Sequence, residues 1–183
     1  MGFTFDDRSA RAMPLALREK LLADDPTLVG RMPPYLGGEE VAREPAQRPH
    51  RFVLDLNDLE LADEPRFPRL FSLARQYVKP ERDALGDTPI DRSHRQRFHC
   101  WANARPELRR ATAHLDRVLV TPRVSTRRFF AFLPAGVVPS EQLVVFAFRT
   151  YAAFAVLQSL FHDVWARTFG SSMGVGVRYT PSD

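Results

Sequence analysis

Apolar residues in the second half of the chain fall into three short runs separated by polar turns. The runs extend from Arg117 to Thr121, from Arg128 to Leu133 and from Leu143 to Phe148. Runs of this length, bounded by turn residues, indicate buried strands. The turn between the first two, "PRVSTRR", is short enough to predict antiparallel pairing.

Helical periodicity flanks these runs on both sides. The segment "RPELRRATAHL" has Pro106 at a first-turn position and Glu107 beside it, which favours a helix start. After Arg149, apolar spacing predicts one long amphipathic helix that ends at Gly170. Its apolar stripe consists of Phe154, Leu157, Phe161, Val164 and Trp165.

The first half of the chain has a less regular pattern. Met13 to Ala23 predicts a short helix, whereas recurring prolines and glycines from Pro26 to Pro49 predict irregular, mostly extended chain. "RFVLDL", Arg51 to Leu56, predicts a strand, and "PRFPRLFSLARQYV" a helix that Lys79-Pro80 stops or kinks. We expect a polar, arginine-rich loop over residues 86–97.

The order of these elements predicts an α+β fold, with a small antiparallel sheet packed with helices and an extended N-terminal arm. We divide the chain into residues 1–50, the N-terminal helix and arm, and residues 51–183, the α+β domain. A length of 183 residues with 44% apolar content supports a folded core.

Composition also bears on the cellular compartment. Cys100 is the single cysteine, which excludes an internal disulfide framework and fits a reducing cytoplasm. The start, "MGFTFDDRSAR", is acidic and lacks the apolar stretch of a signal peptide. The most apolar helix candidate, residues 151–169, contains polar and charged residues that rule out a membrane span.

The cationic residues are unevenly placed along the chain. Ten arginines lie between Arg92 and Arg128 against two acidic residues, a local balance of +8. Because the whole chain carries +4, the remainder carries −4. This asymmetry is typical of a nucleic-acid face on a mildly acidic body, and a solvated charged surface is the alternative.

"RMPPYLGGEE" contains a Pro-Pro-Tyr that also occurs in enzymes that methylate a base amine. Such enzymes need Asp, Asn or Ser before the prolines to accept hydrogen bonds from the amine, and here the residue is Met32. A glycine-rich turn between strand and helix, which would hold S-adenosylmethionine, is missing, since Gly37-Gly38 is expected in a loop. Catalysis by this chain alone is therefore not expected.

His94, His99 and Cys100 are close together in sequence, but a structural zinc needs four ligands and the other histidines are scattered. We therefore predict no metal site. Adjacent residues on a strand point to opposite faces, which separates His99 from Cys100 and argues against a thiol nucleophile. We expect Cys100 to be buried or half-buried.

The most informative polar cluster lies in the turn between the first two predicted strands. It comprises Arg123, Ser125, Thr126, Arg127 and Arg128. Guanidinium forks bridge phosphate oxygens or grip guanine O6 and N7, and hydroxyls contact phosphate or base edges. A solubilising hairpin tip has the same residue types.

Six segments in a fixed order resemble the target-recognition region of type IIL, MmeI-like restriction and modification enzymes and of related DNA methyltransferases of phage defence. They are "PYLGGEEV", "RFVLDLNDL", "YVKPERD", "RFHCW", "RPELRRATAHLDRVLVTPRVSTRRFFAFLPAGVVPSEQLVVFAF" and "YAAFAVLQSLFHDVWARTFGSSMGVGVRYTPSD". The resemblance covers residues from about Leu21 to the end.

The resemblance implies a recognition domain of a longer protein that also carries a nuclease and an S-adenosylmethionine-dependent adenine-N6 methyltransferase. Such a protein flips its target base from the duplex. Nuclease, cofactor-binding and methyl-transfer motifs are absent here, so we expect no cofactor in this chain and either an excised domain or a truncated gene product. A methyltransferase domain or subunit is the implied partner, besides double-stranded DNA.

We therefore predict that the chain binds duplex DNA through the major groove. The predicted contacts are Arg92, Arg95, Arg97, Arg123, Ser125, Arg127 and Arg128, with Ser171, Ser172, Arg178 and Tyr179 as a second reading loop. Most are expected at phosphates, which take about half or more of protein–DNA hydrogen bonds. The alternative is a protein-interaction remnant of a decayed methyltransferase gene that no longer contacts DNA.

Overall fold

A computed structural model describes residues 2–44, 46–170, 172–173 and 176–179 of the chain. Its α-helices are α1 (Leu15–Asp24), α2 (Gly38–Arg43), α3 (Pro68–Leu73), α4 (Lys79–Asp83), α5 (Pro89–Gln96), α6 (Pro106–Thr112), α7 (Tyr151–Leu157) and α8 (Leu160–Phe169). Its strands are β1 (Thr4–Phe5), β2 (Tyr35–Leu36), β3 (Phe52–Val53), β4 (Arg117–Pro122), β5 (Val124–Ser125), β6 (Ala131–Pro134), β7 (Val138–Pro139), β8 (Leu143–Phe146), β9 (Ser172–Met173) and β10 (Gly176–Arg178).

Two compact units divide the chain, and each is made of two separate segments. Unit 1 comprises Met1–Pro34 and His50–Arg105, and unit 2 comprises Tyr35–Pro49 and Pro106–Asp183. This division by packing does not test the predicted domain boundary at residue 50, which stays a prediction.

Unit 1 is built around an apolar core that includes Phe5, Met32 and Phe71, all fully buried. The predicted strand at "RFVLDL" is confirmed only at β3, which pairs antiparallel with β1. Leu54 and Leu56 are fully buried without being part of a strand. The apolar run predicted a longer strand because such runs indicate burial. They do not show whether the backbone pairs with another strand.

The helical segment after Pro68 changes its hydrogen bonding at the predicted kink. Between α3 and α4, Ala74–Val78 form a π-helical turn, and the Lys79 N–H donates to the carbonyl of Ala74. Pro80 has no N–H to donate, so a local change in register is a natural result. The helix therefore does not stop at Lys79-Pro80 but continues as α4, and the predicted kink stays a prediction.

Two stretches predicted to be irregular contain helix. Residues 86–97 were expected as a loop, but α5 occupies most of them, and Thr88 and Asp91 form a capping box at its start. Between Pro26 and Pro49 the chain forms a 3-10 helix at Pro26–Arg31 as well as α2. Pro26 and Pro89 lie at the starts of these helices, where a missing N–H costs nothing.

Unit 2 contains the predicted antiparallel sheet, in the order β6-β4-β8. Leu119 of β4 lies opposite Phe132 on one side and Phe146 on the other. The three predicted strands are therefore confirmed, although the second begins at Ala131 and not at Arg128. A separate pair, β2 with β7, is parallel, and α2 packs on β4.

The predicted long helix after Arg149 is wrong, since α7 and α8 are separate helices. Gln158 accepts a hydrogen bond from the Phe130 N–H at 2.9 Å, and Ser159 caps α8 by accepting from the His162 N–H at 3.2 Å. The single apolar stripe is broken accordingly: Phe154 and Leu157 pack against a buried cluster, whereas Phe161 is 90% exposed.

The α+β class with small antiparallel sheets is confirmed. Cys100 is buried, as expected. Among the described residues, no helix combines the length and the apolar character that crossing a bilayer requires.

Candidate nucleic-acid interface

In unit 2 a single residue, Arg123, separates β4 from the short strand β5. The Arg123 N–H donates to the carbonyl of Gln142 at 2.8 Å, and the Arg123 carbonyl accepts from the Tyr179 N–H at 2.8 Å. Beyond this point β5 pairs antiparallel with β10, so that Val124 lies opposite Arg178. Backbone hydrogen bonds thus bring Arg123 and Arg178 to the same place, although 55 positions separate them in sequence.

A groove of about 740 Å³ lies beside this strand pair. It is lined by the first turns of α2, the link from β4 to β5, residues 141–142 and Arg178. Three arginines contribute to its lining, namely Arg43, Arg123 and Arg178. Three predicted residues, Arg123, Ser125 and Arg178, meet in this groove.

The groove also contains carboxylates, which the sequence reasoning did not place there. Glu39 forms an ion pair with Arg43 at 3.0 Å, and both side chains are largely exposed. Glu141 lines the groove as well, and its backbone carbonyl accepts from Arg123 Nη1 at 3.4 Å. The site is thus mixed in charge, with guanidinium groups in excess.

Ser125 and Arg127 form a local turn at the end of β5. The Ser125 hydroxyl donates to the Arg127 carbonyl at 2.6 Å and accepts from the Arg127 N–H at 3.3 Å. The hydroxyl therefore holds the loop in shape and keeps limited capacity for a ligand. Arg127 is exposed, and its guanidinium has no hydrogen bond or ion pair with any described residue.

Arg128, the next residue, points the other way. Its side chain is only 5% exposed, and its Nε lies 3.3 Å from Asp163 Oδ1. The guanidinium carbon lies 4.9 Å from the centroid of the Tyr179 ring, an arrangement that stabilises a cation. None of the three guanidinium nitrogens has a hydrogen bond of good geometry within the described part of the chain.

Asp163 on α8 forms ion pairs with two arginines, Arg128 and Arg167. A hydrogen bond from Arg167, with the positive charges of Arg167 and then Arg128, holds the pKa of Asp163 below its ordinary value. Tyr179 is buried, and its hydroxyl lies 3.2 Å from His162 Nε2. Arg128 and Tyr179 thus contact each other and residues of α8. Contact of either residue with DNA stays a prediction, and the burial of both side chains does not favour it.

The remaining predicted arginines belong to unit 1. Arg92 Nη1 donates to the Asp87 carbonyl at 2.7 Å and lies 3.3 Å from its carboxylate. Arg95 donates to the carbonyls of Leu85 and Gly86 at 2.9 and 2.6 Å and pairs with Asp87 at 2.9 Å. These two side chains hold the turn before α5.

Arg97 follows α5 and is exposed. Its Nη2 lies 3.5 Å from the Cys100 sulfur. Burial raises the pKa of the Cys100 thiol, an effect that the positive charge of Arg97 opposes. Arg97 thus contacts a buried residue of unit 1 and is itself exposed. The side-chain positions of the two remaining predicted residues are not described. Ser171 lies outside the described residues, and only the backbone of Ser172 is described, in β9.

Sequence reasoning missed the part that α2 plays in the groove. Gly38, Glu39 and Arg43 line it, as does Gln142. "PYLGGEEV" was one of the six segments on which the resemblance rests. The sequence therefore indicated this segment, but none of its residues was predicted to contact DNA. Two-residue strands such as β2 have too few positions for a periodic pattern, which is why their pairing was not predicted.

The fold of the whole chain is shared with a much larger enzyme of known structure. A structure of the type IIL restriction-modification enzyme MmeI in complex with DNA matches with a TM-score of 0.71 at 16% sequence identity. The match covers 99% of this chain and 22% of the MmeI chain. No protein-family model matches the sequence, and no curated protein sequence matches it.

Proposed function

We propose that this chain is the DNA target-recognition domain of an MmeI-like restriction-modification methyltransferase. It binds duplex DNA through the groove between α2 and the β5–β10 pair and carries no methyl-transfer chemistry itself. The observation that supports this most strongly is the meeting of Arg43, Arg123 and Arg178 in one groove of about 740 Å³.

Arginine suits this role because its planar fork matches phosphate oxygens and the O6 and N7 atoms of guanine. Two backbone hydrogen bonds fix Arg123, and strand pairing fixes the backbone at Arg178. Because the backbone at both residues is already ordered, binding through them costs less conformational entropy than binding through a free loop. Arg127, exposed and two residues after the groove-lining Ser125, suits a phosphate contact.

The fold similarity supports the same proposal from outside the chain. The neighbour is an enzyme in complex with DNA, and this chain corresponds to 22% of its length. In the proposed parent protein, adenine-N6 methylation belongs to the remaining part, which would also bind S-adenosylmethionine. This chain would position the parent protein on DNA and select the target sequence.

The cofactor itself does not fit the residues described here. The sequence reasoning placed Gly37-Gly38 in a loop, but they connect β2 to α2 and so form a strand-to-helix turn. However, β2 has two residues and, among the described strands, pairs with β7 alone, whereas Rossmann-type cofactor sites lie at the carboxyl edge of a wider parallel sheet. The Glu40 carboxylate also accepts a hydrogen bond from the Gly37 N–H at 3.0 Å, so this backbone donor is already occupied. We therefore assign no step of methyl transfer to this chain.

A titration of the full chain with a fluorescein-labelled duplex, followed by anisotropy at about 50 and 200 mM salt, tests the proposal. Three phosphate contacts predict a loss of affinity of about 40-fold between these conditions, because each contact releases condensed counterions. Absent binding at the lower salt concentration, or binding that does not respond to salt, contradicts DNA recognition.

One observation favours a second candidate, the protein-interaction remnant. Several large apolar side chains on α8 are exposed, among them Leu160 at 75%, Phe161 at 90% and Phe169 at 67%. Exposed apolar surface of this kind is typical of protein contacts. A chain that fails the DNA titration but associates with other proteins through α8 would have this second function.

A further inference from the structure

The groove contains both signs of charge, and this limits what it can bind. Glu39 and Glu141 line it together with the three arginines. A phosphate oxygen placed beside either carboxylate meets like-charge repulsion, which is costly where water is excluded. A groove built only for the DNA backbone has no use for these acids, whereas base edges present both donors and acceptors.

Gln142 has an orientation fixed by its neighbours. Its Oε1 accepts a hydrogen bond from the Gly38 N–H at 3.3 Å, and only the carbonyl oxygen of the amide can accept from a backbone N–H. Its own N–H donates to Ser140 Oγ at 3.2 Å, and its carbonyl accepts from the Arg123 N–H at 2.8 Å. The amide NH₂ is thus directed away from Gly38 as a pair of donors.

Glu39 and Arg43 provide an acceptor and a donor fork side by side. They occupy positions i and i+4 of α2, and their charged atoms lie 3.0 Å apart. Both are exposed, at 71% and 79%, so a ligand can reach them. The carboxylate has further lone pairs, and the guanidinium further N–H groups, beyond those used in this pair.

We propose that Glu39, Arg43 and Gln142 form a base-reading site that selects a C·G pair through its major-groove edge. This inference rests on the proposed DNA-binding function and assigns residues to its sequence selectivity. Glu39 accepts from the cytosine N4 amino group. Arg43 and the Gln142 NH₂ donate to guanine O6 and N7.

The chemistry favours C·G over A·T for two reasons. Guanine presents its two acceptors next to each other, which suits a guanidinium fork, whereas in an A·T pair the adenine amino group separates them. The thymine methyl group would also lie against charged side chains, which lose hydration without gaining a partner. Arg127, which does not line the groove, keeps its proposed role at phosphate.

Selection of bound molecules from a random-sequence duplex pool by the full chain tests this assignment. The variants are Glu39→Gln, which keeps the shape but removes the charge, and Gln142→Leu, which removes the amide. Glu44→Gln is the matched control, because Glu44 is also an exposed acid next to α2, at its C-terminal end, but does not line the groove. Arg127→Ala is the control for a phosphate contact.

The wild type should enrich C·G at one position, and Glu39→Gln should reduce that enrichment by about 5-fold to 100-fold. Its affinity for the unselected pool should stay within about threefold or rise, because a charge that repels phosphate is lost. Gln142→Leu should weaken the same preference, and Glu44→Gln should leave it intact. Arg127→Ala should weaken binding to all sequences and reduce the salt slope by about one.

Three outcomes contradict the inference. If the wild type binds DNA without any base preference, the base-reading site is refuted while DNA binding stands. The same holds if both Glu39→Gln and Gln142→Leu, shown to be folded by circular dichroism, keep the wild-type preference. If the wild type binds no duplex at all, the proposed function fails and this inference fails with it.

Discussion

Two groups of arginines, one in each unit, have the same residue types and very different surroundings. Arg92 and Arg95 of unit 1 share one carboxylate, Asp87, and Arg95 also donates to two backbone carbonyls. In unit 2, Arg123 and Arg178 line an open groove, and no described carboxylate forms an ion pair with either. The first group stabilises a turn, and the second is available to a ligand.

The difference shows that a count of arginines in a sequence window does not locate an anion-binding face. The balance of +8 between Arg92 and Arg128 counted Arg92 and Arg95 without their carboxylate, because Asp87 lies just outside that window, and it left out Arg178. Adjacent residues also differ, since Arg127 is exposed while the Arg128 side chain is 5% exposed. Whether an arginine can bind a ligand depends on whether a carboxylate lies close to it and on the direction in which its side chain points.

The largest expected effect is on DNA affinity. The double variant Arg123→Ala/Arg178→Ala should bind duplex DNA about 100-fold more weakly than the wild type, since each lost contact costs about tenfold. Fluorescence anisotropy at low salt measures this change. The double variant Arg92→Ala/Arg95→Ala is the matched control and should stay within about twofold of the wild type. Equal losses in both variants would remove the distinction between the two groups.

The next effect is on stability and concerns the buried arginine. Asp163→Asn leaves the Arg128 cation with the Tyr179 ring but without its counter-charge, and should lower the free energy of unfolding by about 2 kcal/mol. The effect is smaller than the roughly 3–5 kcal/mol for a fully buried pair, because the Asp163 side chain is 30% exposed. Urea unfolding measures it.

Asp87→Asn is the control for this variant, since the Asp87 side chain is 81% exposed. Exposed pairs contribute only about 0–1 kcal/mol. If Asp163→Asn is as stable as the wild type, Arg128 does not depend on this pair, and its use as a surface contact becomes admissible again.

How much of this was predictable from sequence depends on the length of each element. The strands β4, β6 and β8 and their antiparallel pairing were predicted, because apolar runs of several residues leave a clear pattern. The break between α7 and α8 was not predicted, since it depends on a hydrogen bond from the distant Phe130 N–H to Gln158. Local periodicity contains no information about such a partner.

The candidate site was predicted in part, for the same reason. Arg123, Ser125 and Arg178 were named and do line one groove, but Glu39, Arg43 and Gln142 were not. The pairing of Val124 with Arg178 brings separate loops together, and two-residue strands leave too little pattern to reveal it. The roles of all these residues in binding DNA remain predictions.

A smaller effect is expected at the turn before α5. Arg95→Ala removes the donor to Leu85 and Gly86 and the pair with Asp87, and should lower the free energy of unfolding by less than about 1 kcal/mol, since water replaces the lost partners. Chemical denaturation measures the change. Arg95→Lys should lose less stability than Arg95→Ala, because an ammonium group keeps the charge but not the fork. A loss well above this range would mean that the turn organises much of unit 1.

The smallest effect is the pH dependence that Asp163 confers. Because its folded-state pKa lies below the ordinary value, its charge contributes stability that is fully present above about pH 4 and is lost as pH falls through the lowered value. Unfolding titrations between about pH 5 and pH 2 should therefore give a shallower acid dependence for Arg167→Gln than for the wild type, with a difference below about 1 kcal/mol. Arg167 donates the hydrogen bond that contributes most to the lowered pKa. If Arg167→Gln leaves the acid dependence unchanged while Arg128→Met reduces it, the buried cation and not the exposed one controls this carboxylate, and the Arg128–Asp163 pair would join α8 to the segment between β5 and β6 more strongly than its geometry indicates.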